Sequence, residues 1–254
     1  FILLLPGSVT ECFEFGWKAF DIAERLQTPV IILTDLDLGM NNWMTKEFEY
    51  PDQAMDRGKV LWEEDLEKIL KERNGDWGRY LDIDEDGIPY RTLPGNRHPR
   101  SAYFARGTGH DPYGRYSEEP DIWEKGLARL EKKINNARTL CPQPEVSLAG
   151  SKIGVLSFGS ADPAVGEARD ILATSNIITD YLRLKAVPFS PLVREFLADH
   201  EVVYVVELNR DGQMKQLLSI EYPELAGRLV AVCHTDGLPL TAKWVAGRIS
   251  ELEA

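Results

Sequence analysis

The sequence has few cysteines, and none of them stand in the paired spacings that build redox or metal sites. Its three cysteines, Cys12, Cys141 and Cys233, are far apart and form no CxxC pair. The sequence therefore predicts neither a disulfide framework nor an iron–sulfur site on this chain. Any cluster would sit on a partner chain.

Basic residues and long apolar runs are also scarce. There are 29 Lys and Arg against 41 Asp and Glu, which gives a net charge of -12 at pH 7. Binding to nucleic acid or to an anionic membrane depends on clustered basic side chains, so this balance argues against both. No apolar run approaches the roughly 20 residues that span a bilayer, and the opening FILLL lacks a basic lead-in. We expect a cytoplasmic protein.

Several catalytic and metal-binding signatures are missing. GxGxxG, GxxxxGK(S/T) and GxSxG do not occur. No metal-ligand spacing relates the four histidines, His98, His110, His200 and His234. The segment 82–87, DIDEDG, resembles the front of a calcium loop, but Leu93 stands where a bidentate Glu would be needed. An acidic β-turn is favoured there, and no metal ligand is predicted.

Residues 6–43 have the pattern of a strand-helix-strand unit. Ser8 and Glu11 form a capping box, and apolar residues then recur at helical spacing as far as Leu26. The run 30–33 predicts a strand that is covered on both faces. Open α/β sheets bind ligands at the carboxyl ends of their strands. The candidates there are Asp35, Asp37, Gly39 and Asn41.

The chain opens on FILLLP, in the middle of a strand pattern. A parallel sheet needs further elements beside such a strand. We therefore expect a fragment of a longer chain, with the catalytic residues upstream of Phe1 and with an exposed apolar sheet edge.

Residues 41–116 predict a long, mostly irregular insert with one short helix at about 53–73. Compact domains rarely keep such connections unless they are lids, binding loops or subunit contacts, so 76–116 is a functional candidate; disorder is the alternative. Residues 119–140 predict a helix that bridges two domains. The Pro-rich stretch 141–150 predicts a linker and a boundary near residue 150.

Four strand-helix units follow the linker, at residues 152–174, 181–198, 202–219 and 229–252. This alternation predicts a mostly parallel sheet with helices on both faces. The fold class is thus α/β, with two parallel-sheet domains, 1–140 and 151–254, joined by the long loop and the bridging helix. Gly159 to Asp162 joins a strand to a helix, where an ordinary turn is favoured over a phosphate site.

One loop combines groups that bind anions. In Arg106-Gly-Thr-Gly-His110, an arginine, a hydroxyl and a histidine share a glycine-rich segment. Such a set is able to hold a carboxylate or a phosphate. A purely structural turn is the favoured alternative from the sequence.

Three separated segments resemble a known family. PGSVTECFEFGWKAFDIAERLQTPVIILTDLDLGMN, DEDGIPYRTLPG and ARGTGHDPYGRYSEEP are similar to the alpha subunit of 2-oxoacid:ferredoxin oxidoreductases, especially the 2-oxoglutarate type. The resemblance runs nearly end to end: residues 1–140 resemble the end of a thiamine pyrimidine-binding domain, and residues 151–254, with VVYVVELNRDGQM, a transketolase C-terminal-like, Rossmann-type domain.

The resemblance implies coenzyme A-dependent oxidative decarboxylation of a 2-oxoacid, with electrons passed to ferredoxin. It implies thiamine diphosphate and Mg2+ shared with a beta subunit, and 4Fe–4S clusters on a partner chain. This segment alone is expected to be inactive and to hold none of these groups. Two alternatives stay open: a subunit of a transketolase-like or 2-oxoacid dehydrogenase thiamine enzyme, and a non-enzymatic α/β assembly module.

The resemblance also suggests which residues lie near the substrate or coenzyme A. The long loop looks like a cover near the active site in this family. The candidates are Arg91, Thr92, Arg106, Thr108 and His110. Either arginine could offer two parallel hydrogen bonds to a carboxylate or phosphate, and His110 could donate one more.

Overall fold

The computed structural model describes residues 1–254, which form two compact units. Unit 1 comprises Phe1–Ala19, Val30–Pro51 and Cys141–Ala254, and unit 2 comprises Phe20–Pro29 and Asp52–Leu140. The predicted domain limits, 1–140 and 151–254, stay a prediction. In chain order the elements are β1 Ile2–Leu4, α1 Val9–Leu26, β2 Val30–Ile32, α2 Leu36–Met40, α3 Glu63–Glu72, α4 Pro120–Leu140, β3 Glu145–Ser147, β4 Ile153–Phe158, α5 Ala161–Thr174, β5 Asp180–Leu184, β6 Ala186–Val187, α6 Pro191–Asp199, β7 Val202–Glu207, α7 Gln213–Glu221, β8 Leu229–Cys233 and α8 Ala242–Glu253.

Helix α1 begins where the capping box predicts. The Ser8 hydroxyl accepts a hydrogen bond from the amide of Glu11 at 3.1 Å. The Glu11 carboxylate accepts from the amide of Gly7 at 2.8 Å, one residue before the capping serine. Two amides at the helix start are thus satisfied by side chains, as the motif requires. The difference from the ideal motif is that Glu11 accepts from the amide of Gly7 instead of that of Ser8.

A three-stranded sheet in unit 1 has the order β2-β1-β6. Strands β1 and β2 are parallel, and β6 is antiparallel to β1. The prediction that the strand at 30–33 is covered on both faces is wrong, because β2 is an edge strand and Ile31 and Leu33 are 45% and 50% exposed. The expected exposed apolar edge is confirmed at these two residues.

A five-stranded sheet, also in unit 1, has the order β3-β5-β4-β7-β8. Strands β5, β4, β7 and β8 run parallel, which confirms the four predicted strand-helix units. Strand β3 pairs antiparallel with β5, so part of the predicted linker is a strand. A Pro-rich segment can do this at the edge of a sheet, where Pro142 and Pro144 lie just outside the paired residues.

Helices cover both faces of the five-stranded sheet, as predicted. On one face, apolar side chains of α6 and α7 pack on the sheet in a core that includes Leu156, Leu197 and Leu218. On the other face, α5 and α8 contribute Val165 and Ile249 to a second core. This two-sided burial explains the continuous apolar runs of the central strands.

Unit 2 contains the end of α1, helices α3 and α4, and the long insert from Asp52 onwards. Its small core is built on Leu61, Leu66 and Trp77. Helix α3 begins at Glu63 rather than near residue 53, because Gly58 has a left-handed backbone (φ +62°) and its amide donates to the Asp56 carboxylate at 2.8 Å. Helix α4 matches its prediction within one residue. No helix combines the length and the apolarity that crossing a membrane requires.

Candidate functional site

Asp35 joins two segments that the sequence singled out separately. Its Oδ1 accepts from the amide of Leu38 at 2.9 Å, and its Oδ2 accepts from the amide of Ser160 at 2.7 Å. Gly159 has φ +64°, and a Cβ at this position would lie 2.7 Å from Asp35 Oδ2. The Asp35 carboxylate therefore takes the place that a phosphate would need at the start of α5, which supports an ordinary turn at residues 159–162.

The other strand-end candidates lie in or beside α2. Residues 36–40, predicted as loop, form a short helix that Asp35 caps. The backbone oxygen of Asp37 accepts from Trp43 Nε1 at 2.9 Å and from the amide of Asn41 at 3.3 Å. Gly39 and Asn41 are exposed. Of the four candidates, only Asp35 lines the cavity described next.

A cavity of about 330 Å³ lies in unit 1, beside Asp35. Most of its wall is apolar, and no Lys or Arg lines it. It opens at the carboxyl ends of β1, β2, β4 and β7 and at the start of α7. The lining residues are Leu3, Leu5, Leu33, Thr34, Asp35, Phe158, Gly159, Leu208, Asn209, Gln213, Met214 and Leu217.

Glu207 and Asn209 organise one wall of this cavity, and sequence reasoning did not select them. The buried Glu207 carboxylate accepts from the amides of Met214 at 2.7 Å and Lys215 at 2.9 Å. Asn209 Nδ2 donates to Glu207 Oε2 at 2.7 Å, and Asn209 Oδ1 accepts from the amide of Gly212 at 2.8 Å. The sequence does carry a signal for them. Glu207 ends an apolar strand, Asn209 follows it, and Gly212 stands just before the next helix, a position where ligands often bind.

In unit 2, Arg91 and Thr92 make extensive contacts within their own unit. Arg91 Nη2 donates to Glu24 Oε2 at 2.6 Å. Thr92 is 2% exposed, and its hydroxyl donates to the backbone oxygen of Ser101 at 2.6 Å. Both side chains thus have structural partners, and none of the hydrogen bonds of Arg91 reaches the loop at 106–110.

Arg106 and His110 gather around Tyr80. The His110 ring stacks on the Tyr80 ring, with 3.8 Å between centroids. The Tyr80 hydroxyl accepts from the amide of Arg106 at 2.9 Å, and Arg106 Nε donates to the backbone oxygen of Gly114 at 3.0 Å. Thr108 is exposed, and together with His110 it lines a small cavity of about 130 Å³. The loop therefore brings together Arg106, Thr108 and His110 and leaves Arg91 and Thr92 elsewhere.

Two further cations, Arg79 and Arg129, lie near this loop, and a third, Lys133, interacts with both of them. We call these three residues the cation cluster. The guanidinium carbons of Arg79 and Arg129 are 5.1 and 5.9 Å from the Tyr80 centroid. Burial, and then the charges of Arg129 and Arg79, lower the pKa of Lys133 to about 8. Arg79 Nη1 is buried without a hydrogen-bond partner. The cluster was missed because its members are far apart in sequence, although the spacing of residues 129 and 133 places those two on one helix face.

Comparison with known proteins agrees with the motifs. No family model matches this chain. A 2-oxoacid:ferredoxin oxidoreductase alpha subunit from Aeropyrum pernix is 28% identical over 259 aligned positions, which cover 99% of this chain and 38% of that protein. The 2-oxoglutarate synthase subunit KorA of Methanothermobacter marburgensis is 27% identical, over 84% of this chain and 54% of its own length.

A solved structure has the same fold. The 2-oxoglutarate:ferredoxin oxidoreductase from Magnetococcus marinus, with 2-oxoglutarate, coenzyme A and succinyl-CoA bound, superposes with a TM-score of 0.82 at 23% identity. The superposition covers 98% of this chain and 42% of that one. The predicted α/β class is confirmed. Over 99% and 86% of its length, this chain is similar to two proteins named 2-oxoacid:ferredoxin oxidoreductase alpha subunit, as its motifs predict.

Proposed function

We propose that this chain is part of the alpha subunit of a 2-oxoacid:ferredoxin oxidoreductase. The complex would convert a 2-oxoacid and coenzyme A to an acyl-CoA and CO2, and the two electrons released would pass to ferredoxin. The observation that carries the proposal is the match to a named alpha subunit over 99% of the chain. The chain spans 38% of that relative's length, so the remaining part of the site would lie outside these residues.

The charge distribution of unit 2 supports an anionic substrate. A 2-oxoacid is a carboxylate, and coenzyme A carries phosphates. In a chain of net charge -12, the cation cluster of Arg79, Arg129 and Lys133 lies close to the Arg106–His110 loop that sequence reasoning selected. A buried guanidinium nitrogen without a partner is costly, and an anion would satisfy it. Arg91, Thr92, Arg106, Thr108 and His110 stay the proposed substrate-side residues.

The metal, diphosphate and iron–sulfur groups of such a complex do not fit the residues of this chain. No three His, Cys, Asp or Glu side chains are close enough together to hold a metal ion. The cavity beside Asp35 has no cation to face a diphosphate. Burial raises the pKa of the Cys141 thiol to about 11, so it is a poor cluster ligand. The proposal therefore assigns Mg2+, the thiamine diphosphate phosphates and the 4Fe–4S clusters to residues outside this segment, chiefly those of a beta subunit.

Among 2-oxoacids, we propose 2-oxoglutarate. Two relatives are named 2-oxoglutarate synthase subunit KorA, from two species of Methanothermobacter, and both are 27% identical to this chain. A five-carbon acid with a second carboxylate also needs more positive charge than pyruvate does. The cation cluster of unit 2 agrees with that demand.

The test is an anaerobic assay of the full alpha polypeptide that carries this segment, co-expressed with its beta subunit. We expect viologen reduction that requires both a 2-oxoacid and coenzyme A, with 2-oxoglutarate preferred over pyruvate. The 254-residue chain alone is the matched control and should give none. A complex that binds thiamine but fails to reduce viologen whichever 2-oxoacid is supplied would contradict the proposed reaction. A complex that binds no thiamine would instead favour a non-enzymatic assembly role.

A further inference from the structure

The cavity beside Asp35 lies at the switch point of the five-stranded sheet. Strand β4 lies between β5 and β7. The chain leaves β4 for β5 on one side and then passes back to β7 on the other side. The residues that follow these two strands, Phe158 and Gly159 after β4 and Leu208 and Asn209 after β7, all line the cavity. Open α/β sheets bind ligands in the crevice at this position.

The cavity wall sets the chemistry of an occupant. Seven of the lining residues are Leu, Phe or Met, and none is Lys or Arg. The Asp35 carboxylate lies in the wall and is already bonded to two amides. An anion placed here would lose its hydration and gain no positive partner, so the wall disfavours carboxylates and phosphates. The cavity is thus unsuited to the anionic 2-oxoacid and to the phosphates of coenzyme A.

The size of the cavity beside Asp35 and the polar groups at its rim are those of a small-molecule site. Leu5 and Met214, at 1% and 4% exposure, form the deep part, and a volume of about 330 Å³ is within the range of small-molecule sites. At the rim, the side chains of Thr34 and Gln213 make no hydrogen bond within the chain, although every side-chain polar group of Asn209 is used. A cavity that is apolar at its deep end and has unpaired polar groups at its mouth is typical of a site for a neutral ligand.

We propose that this cavity binds a neutral, mostly apolar small molecule. An aromatic ring or branched alkyl group contacts Leu5, Phe158 and Met214. A hydroxyl or N–H group of the ligand bonds to Thr34 or Gln213 at the rim. The site is separate in chemistry from the proposed substrate site, so its test does not depend on the oxidoreductase assignment.

In the full alpha polypeptide that carries this segment, the methionines of the segment provide a direct readout. The sequence has four, and only Met214 lines the cavity. Met40, Met44 and Met55 are exposed and serve as internal controls. With 13C-labelled methionine methyls, we expect benzyl alcohol and indole to shift the Met214 signal saturably, with a Kd of about 1 mM, and to leave the other three signals in place. Benzoate, an anion of similar size, should bind at least about tenfold more weakly than benzyl alcohol.

Three substitutions separate the cavity from other surfaces. Leu33→Trp fills the mouth and should weaken both neutral probes about tenfold or more. Leu252→Trp is the matched control, since Leu252 is an exposed leucine outside the cavity, and it should have no effect. Thr34→Val removes one rim hydroxyl without changing volume much, and should weaken benzyl alcohol severalfold.

Three results would overturn the proposal. The first is a Met214 methyl signal that stays unmoved by both neutral probes up to about 10 mM, well above the affinity expected of such small molecules. The second is benzoate binding as tightly as benzyl alcohol. The third is unchanged binding of both neutral probes in Leu33→Trp; if that variant fails to fold, the first two results still decide.

Discussion

Arg183 donates two hydrogen bonds to the carboxylate of Glu11, from Nη1 to Oε2 at 2.6 Å and from Nη2 to Oε1 at 2.9 Å. The two residues are 172 positions apart in sequence, and their side chains are only 5% and 12% exposed. Lys185 Nζ also lies 2.8 Å from Glu11 Oε1. This buried ion pair joins the first turn of α1 to strand β5 within unit 1, and two predictions rest on it.

Glu11→Gln should destabilise the protein strongly. The substitution keeps the shape of the side chain and removes the most buried of the carboxylates that face Arg183. The half-exposed Glu145, at 2.8 Å, and Asp162, at 3.5 Å, remain, so we expect a cost near the lower end of the about 3–5 kcal/mol typical of a broken buried pair. Glu14→Gln is the matched control, because the Glu14–Lys18 pair is more than a third exposed and should contribute at most about 0.5 kcal/mol. Urea unfolding of the two variants measures both. Equal unfolding midpoints would show that the Arg183 contact is not structural.

Acid stability should depend on the same carboxyl. Burial would raise the pKa of Glu11, but hydrogen bonds from Arg183 and Lys185 lower it to about 2. A carboxyl with a lowered pKa in the folded state stabilises the fold above its unfolded pKa, and this contribution is lost as the pH falls from about 5 to about 2. The wild type should lose roughly 3 kcal/mol more over this interval than Glu11→Gln does. Parallel pH profiles for the two proteins would contradict the assignment.

Lys133 predicts a second rise of stability with pH, at the alkaline end. Its pKa is lowered to about 8, chiefly by burial and then by Arg129 and Arg79. Between about pH 8 and 10.5 the unfolded chain holds a proton that the folded chain has released, so stability rises with pH. The rise should be at most roughly 3 kcal/mol and should be absent in Lys133→Met. Lys132→Met, at an exposed neighbour, should retain it. A rise that persists in Lys133→Met would assign it to another group.

The local spacing of apolar residues along the sequence predicted most of the fold. The apolar spacing of α1 and α4 and the strand-helix alternation after residue 152 gave element limits within a few residues of those observed. Strand β3 was missed because its pairing with residues 181–183 depends on a distant segment. The exposure of Ile31 was missed for the same reason, since a run of apolar residues does not show whether another layer covers it.

The site was less predictable than the fold. Asp35 was selected by its place at the end of a strand, but its partner Ser160 lies 125 residues away. The cation cluster combines residue 79 with residues 129 and 133, which no local motif links. Arg91 was selected by family resemblance, whereas its ion pair with Glu24 is a contact that only the folded unit displays. Local sequence patterns thus identify turns and strand ends. They do not show which distant residues contact the side chains at those positions.

The exposed edge of β2 should promote self-association. Ile31 lies in an edge strand that pairs only with β1 and presents an apolar side chain to solvent. A charge on such an edge opposes strand-to-strand pairing. Ile31→Lys should therefore raise the concentration at which light scattering begins by about twofold or more. Ile178→Lys is the control, because Ile178 is equally exposed but lies outside the strands. The same gain in both variants would indicate a general effect of charge.

Arg106→Ala should weaken substrate binding in the complete complex. If its guanidinium bonds a carboxylate or phosphate, its loss should raise the Michaelis constants for the 2-oxoacid or for coenzyme A by about tenfold or more. Arg91→Ala tests the second proposed arginine in the same assay. Arg97→Ala, at an exposed position of the same long loop, is the matched control. Unchanged Michaelis constants for both substrates in both variants would remove these arginines from the proposed site.

The most direct test of the proposed reaction is its stoichiometry. Using the full alpha polypeptide with its beta subunit under anaerobic conditions, acyl-CoA and reduced ferredoxin are measured in the same sample after addition of 2-oxoglutarate and coenzyme A. We expect one succinyl-CoA for each pair of electrons delivered to ferredoxin, and no electrons when coenzyme A is omitted. Electrons delivered without matching acyl-CoA, or acyl-CoA formed without ferredoxin reduction, would contradict the proposed reaction.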